Sequence, residues 1–152
     1  MAADASNIEA LKAKIGVERE VGTYEIEKGM IRKFARAIGD ANPRWQDEAN
    51  AVNRQYGNAT APPTMMLTIG LGQIEQELAV LPSMAILHGS TEMECHQAVK
   101  AGDNISVTIK LANLRERSGR DNSTMVFMIF ELIYKNQRQD LVATCRQTLI
   151  GY

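Results

Sequence analysis

The chain has 152 residues, in which 17 Lys and Arg side chains nearly balance 18 Asp and Glu. This length suits one domain, and the interspersed charges form no basic surface of the kind that nucleic acid requires. Two cysteines, Cys95 and Cys145, are too few for a secreted disulfide framework and lack the spacing of a metal site. Without a signal peptide or a long apolar run, we expect one cytoplasmic domain over residues 1–152, with no nucleic acid, membrane or metal partner.

The first part of the chain predicts helices around one strand. The segment "SNIEALKAKIG" indicates a capped helix that ends at Gly16, and "VEREVGTYEI" is a strand candidate. Apolar residues recur at helical spacing between Glu27 and Ile38. The stretch "DEANAVNRQYG" then supports a short helix that closes at Gly57.

The segment "APPTMMLTIGLGQIEQELAVLP" predicts a buried helix, because the run after Thr64 is apolar on nearly every side up to Gln73. Thr64 can serve as the N-cap, and we expect the helix to stop near Pro82. Gly70 and Gly72 each cost roughly 1 kcal/mol against Ala inside a helix. Their presence indicates close approach of another backbone to this helix.

After Pro82 the hydrophobic period changes to that of strands. Four segments are strand candidates: "LHGSTEMECHQAV", "NISVTIKLANLRER", "STMVFMIFELIYKNQ" and "QDLVATCRQTLIGY". The third is apolar at almost every position, which is typical of a central strand covered on both faces. Short connections imply antiparallel pairing. With the early strand, these segments predict an α+β domain in which about five antiparallel strands wrap around one long buried helix.

Several stretches resemble, in order and spacing, the MaoC-like dehydratases and (R)-specific enoyl-CoA hydratases, which have the hot-dog fold. The resemblance is carried by "IRKFARAIGDANPRWQDEANA", "APPTM", "LHGSTEMECHQAVKAGD" and "NQRQDLVATCRQTLI". It is strongest to the N-terminal, fatty-acid-synthase-like dehydratase type and covers nearly the whole chain. This resemblance implies reversible hydration of 2-enoyl thioesters or dehydration of 3-hydroxyacyl thioesters. Coenzyme A or an acyl carrier protein would be part of the substrate, with no separate cofactor.

The family's working site pairs an Asp with a His in the pattern Gly-Asp-x-Asn-Pro-x-His, and the two side chains hold one water between them. The resemblance places Asp40 and Asn42 in this pattern, but Trp45 stands in the His position. An indole donates a hydrogen bond and exchanges no proton near neutral pH, so the dyad is incomplete. For Asp40, a turn or capping role stays open beside a catalytic one.

Two imidazoles could take the place of the missing His. His96 is interpreted as a solvent-facing strand residue. His88, at a loop-to-strand junction, remains a catalytic candidate, with a structural hydrogen bond as its alternative.

In the family, a backbone N–H at the start of the buried helix meets the thioester oxygen, because unpaired amides and the helix dipole favour negative charge there. The resemblance assigns this start to Thr64 and Met65. Met66 belongs to an apolar run that forms core and can also line an acyl channel. Trp45 completes the substrate-binding candidates as a pocket or interface wall.

Three functions remain open at this point. The first is a subunit of a hydro-lyase, working as a homodimer or as a heteromer with a MaoC-like subunit that carries a complete Asp/His dyad. The second is a non-catalytic acyl-thioester-binding or scaffolding subunit of such a heteromer. The third is a hot-dog thioesterase, since this fold hosts several chemistries.

Overall fold

The computed structural model describes residues 2–45, 50–119 and 123–152. Its helices are α1 (Ala2–Lys12), α2 (Lys28–Ala37), α3 (Ala51–Tyr56) and α4 (Leu71–Leu78), with two 3-10 helices at Pro43–Trp45 and Pro63–Thr68. Its strands are β1 (Arg19–Glu25), β2 (Ile86–Cys95), β3 (Asn104–Ser118), β4 (Thr124–Lys135) and β5 (Leu141–Gly151). Asp47 to Ala49, the start of the short helix expected before Gly57, lie outside the described residues.

The strands form one sheet in the order β1-β3-β4-β5-β2, and every neighbouring pair is antiparallel. β3, β4 and β5 are neighbours in chain order and form a meander, while β2 crosses over to pair with β5. The prediction of an α+β domain with five antiparallel strands is confirmed. β1 and β2 are left as the two edges of the sheet.

One face of the sheet carries the core. In β4 alternate residues are buried and the residues between them are half-buried. The buried set is Val126, Met128, Phe130, Leu132 and Tyr134. β4 is central, as predicted, but the expectation that both of its faces are covered is wrong. Helices α1, α2 and α4 pack on the sealed face, and their buried side chains belong to the same apolar cluster.

The first helix differs from its prediction at both ends. α1 begins at Ala2, so Ser6 lies inside the helix and is not its cap. The helix ends at Lys12, and a turn continues to Gly16. Gly16 has a φ of 81° and its N–H donates to the Leu111 carbonyl at 2.9 Å, which ties this turn to β3. A residue with a side chain is strained at such a φ, so glycine is favoured here.

The single helix expected from Thr64 onwards is two segments, the second 3-10 helix and α4. The chain is extended at Ile69 and left-handed at Gly70, where φ is 84°. The buried Tyr134 hydroxyl donates to the Ile69 carbonyl over 3.4 Å, which gives that carbonyl a partner where the helical bonds stop. A left-handed residue cannot continue a right-handed helix, and this explains the break.

The two glycines of this region have different surroundings. A Cβ added to Gly70 would lie 3.2 Å from Val107 Cγ1, so Gly70 is closely approached, though by a side chain and not by backbone. Around a Cβ added to Gly72, no described atom lies within 4 Å. The expected close approach is therefore wrong for Gly72. In the described parts of the chain, no helix is long and apolar enough to cross a membrane.

Candidate functional site

The turn 40–45 follows directly from the end of α2. Gly39 has a φ of 71° and the Asp40 N–H donates to the Ala35 carbonyl at 2.9 Å, which closes the helix. Asp40 Oδ1 accepts from the Asn42 N–H at 3.0 Å, and Asn42 Oδ1 accepts from the Arg44 N–H at 3.0 Å. These two side-chain turns hold the backbone in place up to the first 3-10 helix.

Asp40 and Trp45 contact each other directly. Trp45 Nε1–H donates to Asp40 Oδ2 at 2.7 Å, and the indole is 7% exposed. Because Oδ1 already accepts from Asn42, both carboxylate oxygens of Asp40 have a donor. A separation of 2.7 Å is a direct hydrogen bond, so no water fits between the two groups. The turn therefore brings the two predicted residues together in an arrangement that holds no water between them.

A second polar network lies behind the turn and was missed by sequence reasoning. Asn53 and Thr60 are both fully buried. Asn53 Nδ2 donates to the Arg44 carbonyl at 2.7 Å, and its Oδ1 accepts from Thr60 N and Oγ1 at 3.2 and 3.0 Å. Arg44 Nε donates to Thr60 Oγ1 at 2.9 Å, and the guanidinium lies 5.3 Å from the Trp45 ring centroid. The turn is thus fastened to the segment that enters the second 3-10 helix.

At the start of that helix, one of the two predicted backbone donors is already used. The Met65 N–H donates to the Pro62 carbonyl at 2.9 Å, within the first turn. For the Thr64 N–H, the described residues supply no partner, and Thr64 is exposed. Of the pair assigned to the thioester oxygen, Thr64 is the one with a free amide.

A cavity of about 230 Å³ lies between the turn and the helix start. Its wall includes Arg44, Pro62, Met66, Cys95, Gln97 and Val142. The lining is mostly apolar, with Arg44, His96 and Gln97 as polar groups; His96 lies just after β2 and not within a strand. Small-molecule sites typically measure about 300–1,000 Å³, so this cavity alone is small for an acyl thioester. Met66 is among the residues that line this cavity and Met65 is not, although both side chains are buried in the core.

A larger groove of about 520 Å³ runs between α4 and the inner side of β2. Apolar side chains dominate its lining, which includes Leu71, Ile74, Leu78, Met84, Ile86 and Leu149. Gln147 is 6% exposed and also lines this groove, its Nε2 lying 3.9 Å from Cys145 Sγ. The sequence of this segment predicts only a strand and gives no signal for Gln147.

His88 lies in the same groove, apart from the turn 40–45. Its Nε2 is 2.8 Å from Thr91 Oγ1, and the side chain is exposed. Among the described contacts, no hydrogen bond or ion pair joins His88 to Asp40. The geometry thus favours the structural hydrogen bond over an imidazole that replaces the missing dyad member.

Neither cysteine is activated as a nucleophile. Burial raises the pKa of the Cys95 thiol, and burial also raises the pKa of the Cys145 thiol, with a smaller opposing effect from Gln147. A raised pKa keeps sulfur protonated and unreactive near neutral pH. Within the described part of the chain, no group of three His, Cys, Asp or Glu side chains is placed to hold a metal.

A carboxylate anchors the segment opposite Thr60. Asp103 is 6% exposed and accepts from Lys100 N at 3.0 Å, Lys100 Nζ at 2.8 Å and Gln137 Nε2 at 3.1 Å. Burial by itself raises the pKa of Asp103, but these three hydrogen bonds outweigh it and hold the pKa below its usual value. Lys100 also pairs with Thr60 through an isolated β-bridge. Asp103 therefore stabilises the backbone segment that pairs with Thr60 of the polar network.

Comparison with known proteins gives the family. The model described as "FAS1-like, dehydratase domain region" matches residues 13–145. A UPF0336 protein from Streptomyces avermitilis is 32% identical over 102 residues, which cover 64% of this chain and 68% of the relative.

Two solved heteromeric complexes share the fold. One is the HadBC (3R-hydroxyacyl-ACP dehydratase) complex from Mycobacterium tuberculosis, with a TM-score of 0.75 and 22% identity over 91% of this chain and 97% of that one. The other is the ChsH1-ChsH2 complex from the same organism, with a TM-score of 0.72 and 18% identity over 98% of this chain and 90% of that one. The chain therefore belongs to the FAS1-like dehydratase domain family, and it has the hot-dog fold that it shares with a solved MaoC-like dehydratase.

Proposed function

We propose that this chain is the non-proton-transferring subunit of a heteromeric hydro-lyase. The enzyme hydrates 2-enoyl thioesters or dehydrates 3-hydroxyacyl thioesters of coenzyme A or an acyl carrier protein. A partner hot-dog subunit with an intact Gly-Asp-x-Asn-Pro-x-His segment supplies the acid and the base. The observation that carries this proposal is the direct hydrogen bond of 2.7 Å from Trp45 Nε1 to Asp40 Oδ2.

The chemistry explains why this bond matters. Hydration needs a base that takes a proton from water, an acid that delivers one to the α-carbon, and a donor to the thioester oxygen. Asp40 has both oxygens occupied by Trp45 and Asn42, and the indole cannot exchange its proton. General acid–base assistance is typically worth about 10² to 10⁴ in rate, so the lone chain lacks a large share of the catalysis.

The remaining features suit binding. The cavity beside Arg44 is mostly apolar, and the exposed residue Thr64 follows Pro63, which lines the cavity, at the start of the helix. In the proposed enzyme, Thr64 donates to the thioester oxygen and Met66 contacts the acyl chain. The two solved structures support a heteromer, because each is named as a complex of two components and contains a chain with this fold.

The test follows the loss of enoyl thioester absorbance on hydration. We expect the purified chain to be inactive alone and active when mixed with a MaoC-like subunit that carries the complete dyad. Asp40→Asn should change the activity of the mixture less than about two-fold, since Asp40 transfers no proton in the proposed enzyme; the variant keeps one of the two hydrogen bonds from Asn42 N and Trp45 Nε1 and loses the other. The matched Asp→Asn change in the partner's dyad should lower it by about 10² to 10⁴.

Other outcomes assign other functions. Activity of the lone chain that disappears in Asp40→Asn would contradict the proposal and make the chain a self-sufficient hydratase. A partner that is equally active with and without this chain would leave it a scaffold. Release of free thiol without loss of the double bond would indicate a thioesterase.

A further inference from the structure

One polar side chain lies buried in the wall of the apolar groove between α4 and β2. Of the residues that line this groove, the polar or charged ones are Glu75, His88 and Gln147. Glu75 and His88 are exposed to solvent, whereas Gln147 is 6% exposed. Gln147 therefore places an amide deep in a wall that is otherwise apolar.

The amide of Gln147 is poorly bonded. A side-chain amide offers two N–H donors and an oxygen that accepts. Among the described residues, the polar contact of this side chain is the one from Nε2 to Cys145 Sγ over 3.9 Å, and thiol sulfur is a weak acceptor. In the same part of the chain, no donor reaches Oε1 of Gln147. A buried polar group without hydrogen bonds destabilises the folded chain, so a ligand that bonds it would gain affinity.

The sheet register leaves the groove as the side from which the amide can be bonded. Gln147 is buried on the inner face of β5, opposite Phe130 of β4 and Thr91 of β2. Phe130 has no hydrogen-bonding side-chain atom, and Thr91 Oγ1 already lies 2.8 Å from His88 Nε2. The cross-strand neighbours of Gln147 thus leave its amide for a group that enters the groove.

Gln147 is remote from the turn 40–45. Ala143, which is buried on the same face of β5, lines the cavity beside Arg44. Four residues of strand span about 13 Å at about 3.3 Å per residue. In the proposed enzyme the thioester oxygen is bonded at Thr64, next to Pro63 of that cavity. The amide would therefore meet the far part of an acyl group and not the carbons that react.

The chemistry of the groove decides which acyl group fits it. A neutral amide can donate to, and accept from, a hydroxyl group, and it can donate to a carbonyl oxygen. An anionic group is disfavoured, because Glu75 borders the groove and because an unpaired charge is costly to bury among apolar side chains. A plain alkyl chain would fill the groove and leave the amide without a partner.

We propose that Gln147 makes this groove selective for an acyl group that carries a neutral hydroxyl or carbonyl oxygen far from the thioester, over an unsubstituted alkyl chain. That the ligand is an acyl thioester rests on the proposed function. The preference for a neutral oxygen rests on the buried amide and the apolar lining. Gln147 acts on specificity and transfers no proton.

The test measures the binding of three matched thioesters to the lone chain by isothermal titration calorimetry. They are decanoyl, ω-hydroxydecanoyl and ω-carboxynonanoyl coenzyme A, which differ only at the far end of the acyl chain. We expect the hydroxyl-ended ligand to bind about ten-fold more tightly than the decanoyl ligand, since it gives the amide a partner. The carboxylate-ended ligand should bind most weakly of the three.

A substitution of Gln147 shows whether the amide causes this preference. Gln147→Met keeps a long unbranched side chain and removes the amide, so the preference for the hydroxyl should disappear or reverse. Its urea denaturation midpoint should be no lower than that of wild type, because no good hydrogen bond is lost. Gln76→Met, on the exposed side of α4 and outside the groove lining, is the matched control and should keep the preference. Gln147→Leu replaces the Met variant if that variant fails to fold.

Three results would overturn the proposal: equal or weaker binding of the hydroxyl-ended ligand by wild type, a preference that survives in Gln147→Met, or no binding of any of the three ligands. Hydration is not part of this measurement. If the mixture with a partner subunit were inactive, the proposed function would fail while the binding preference could stand. If the preference were absent and the mixture active, the selectivity would be wrong and the hydro-lyase would remain.

Discussion

The turn 40–45 and the helical region after Pro62 border the same cavity, yet they are held in opposite ways. In the turn, the side-chain oxygens of Asp40 and Asn42 accept hydrogen bonds from within the turn, including the one from Trp45 Nε1 to Asp40. After Pro62 the chain is fixed by apolar burial of Met65, Met66 and Ile74, and it leaves an open groove along α4. Asp40 and Trp45, which stand where the family's proton-transferring pair would be, bond each other in this chain. The apolar groove along α4, by contrast, remains open.

We expect the largest effect on stability from removing the side chain of Asn53, which belongs to the buried hydrogen-bond network behind the turn 40–45. Asn53→Ala removes three hydrogen bonds and leaves the Arg44 carbonyl and the buried Thr60 without those partners. We expect the free energy of unfolding to fall by about 3 kcal/mol, measured by urea denaturation. The exposed Asn104→Ala should change it by less than about 0.5 kcal/mol. Equal effects would mean that the network adds nothing to the stability of the turn.

The helical side can be tested with two glycines that lie two residues apart. Gly70→Ala places a Cβ at a φ of 84° and 3.2 Å from Val107 Cγ1, so we expect a loss of about 2 kcal/mol in thermal or urea unfolding. Gly72→Ala meets no described atom within 4 Å and should stabilise α4 by about 0.5 kcal/mol. If both substitutions were neutral, the break at Gly70 would not be required by the fold.

Much of the fold could be predicted, because the spacing of apolar residues along the chain shows whether a segment is a helix or a strand and which of its faces is buried. Alternation along β3 and the short connections were enough for the antiparallel sheet. The break at Gly70 was not, because a glycine costs about the same in any helix interior, and the partner of the Ile69 carbonyl at the break, Tyr134, lies 65 residues away in the chain. Coverage of the second face of β4 was overestimated, because apolar composition does not report which face is sealed.

The candidate site was predictable only where it coincided with a motif. The pattern around Asp40 singled out Trp45 as the departure, and the structure places the two in contact. Asn53 and Thr60 carry no sequence signal, since their importance comes from complete burial between segments that meet in space.

We expect the smallest effect on stability from Asp103. Asp103 bonds Lys100, and Lys100 pairs with Thr60 of the polar network behind the turn. The pKa of Asp103 is lower in the folded chain than its usual value, so its contribution to stability is present above about pH 4, the unfolded value, and is lost as the pH falls through the folded pKa. Asp103→Asn should therefore destabilise by about 1 kcal/mol at pH 7, and the difference from wild type should shrink below about pH 4. Urea unfolding at several pH values measures this, with the exposed Glu25→Gln expected to change the unfolding free energy by less than about 0.5 kcal/mol at pH 7. If the difference in unfolding free energy between wild type and Asp103→Asn grew on acidification, Asp103 would be bound in its protonated form. The polar network behind the turn would then depend on groups other than this carboxylate.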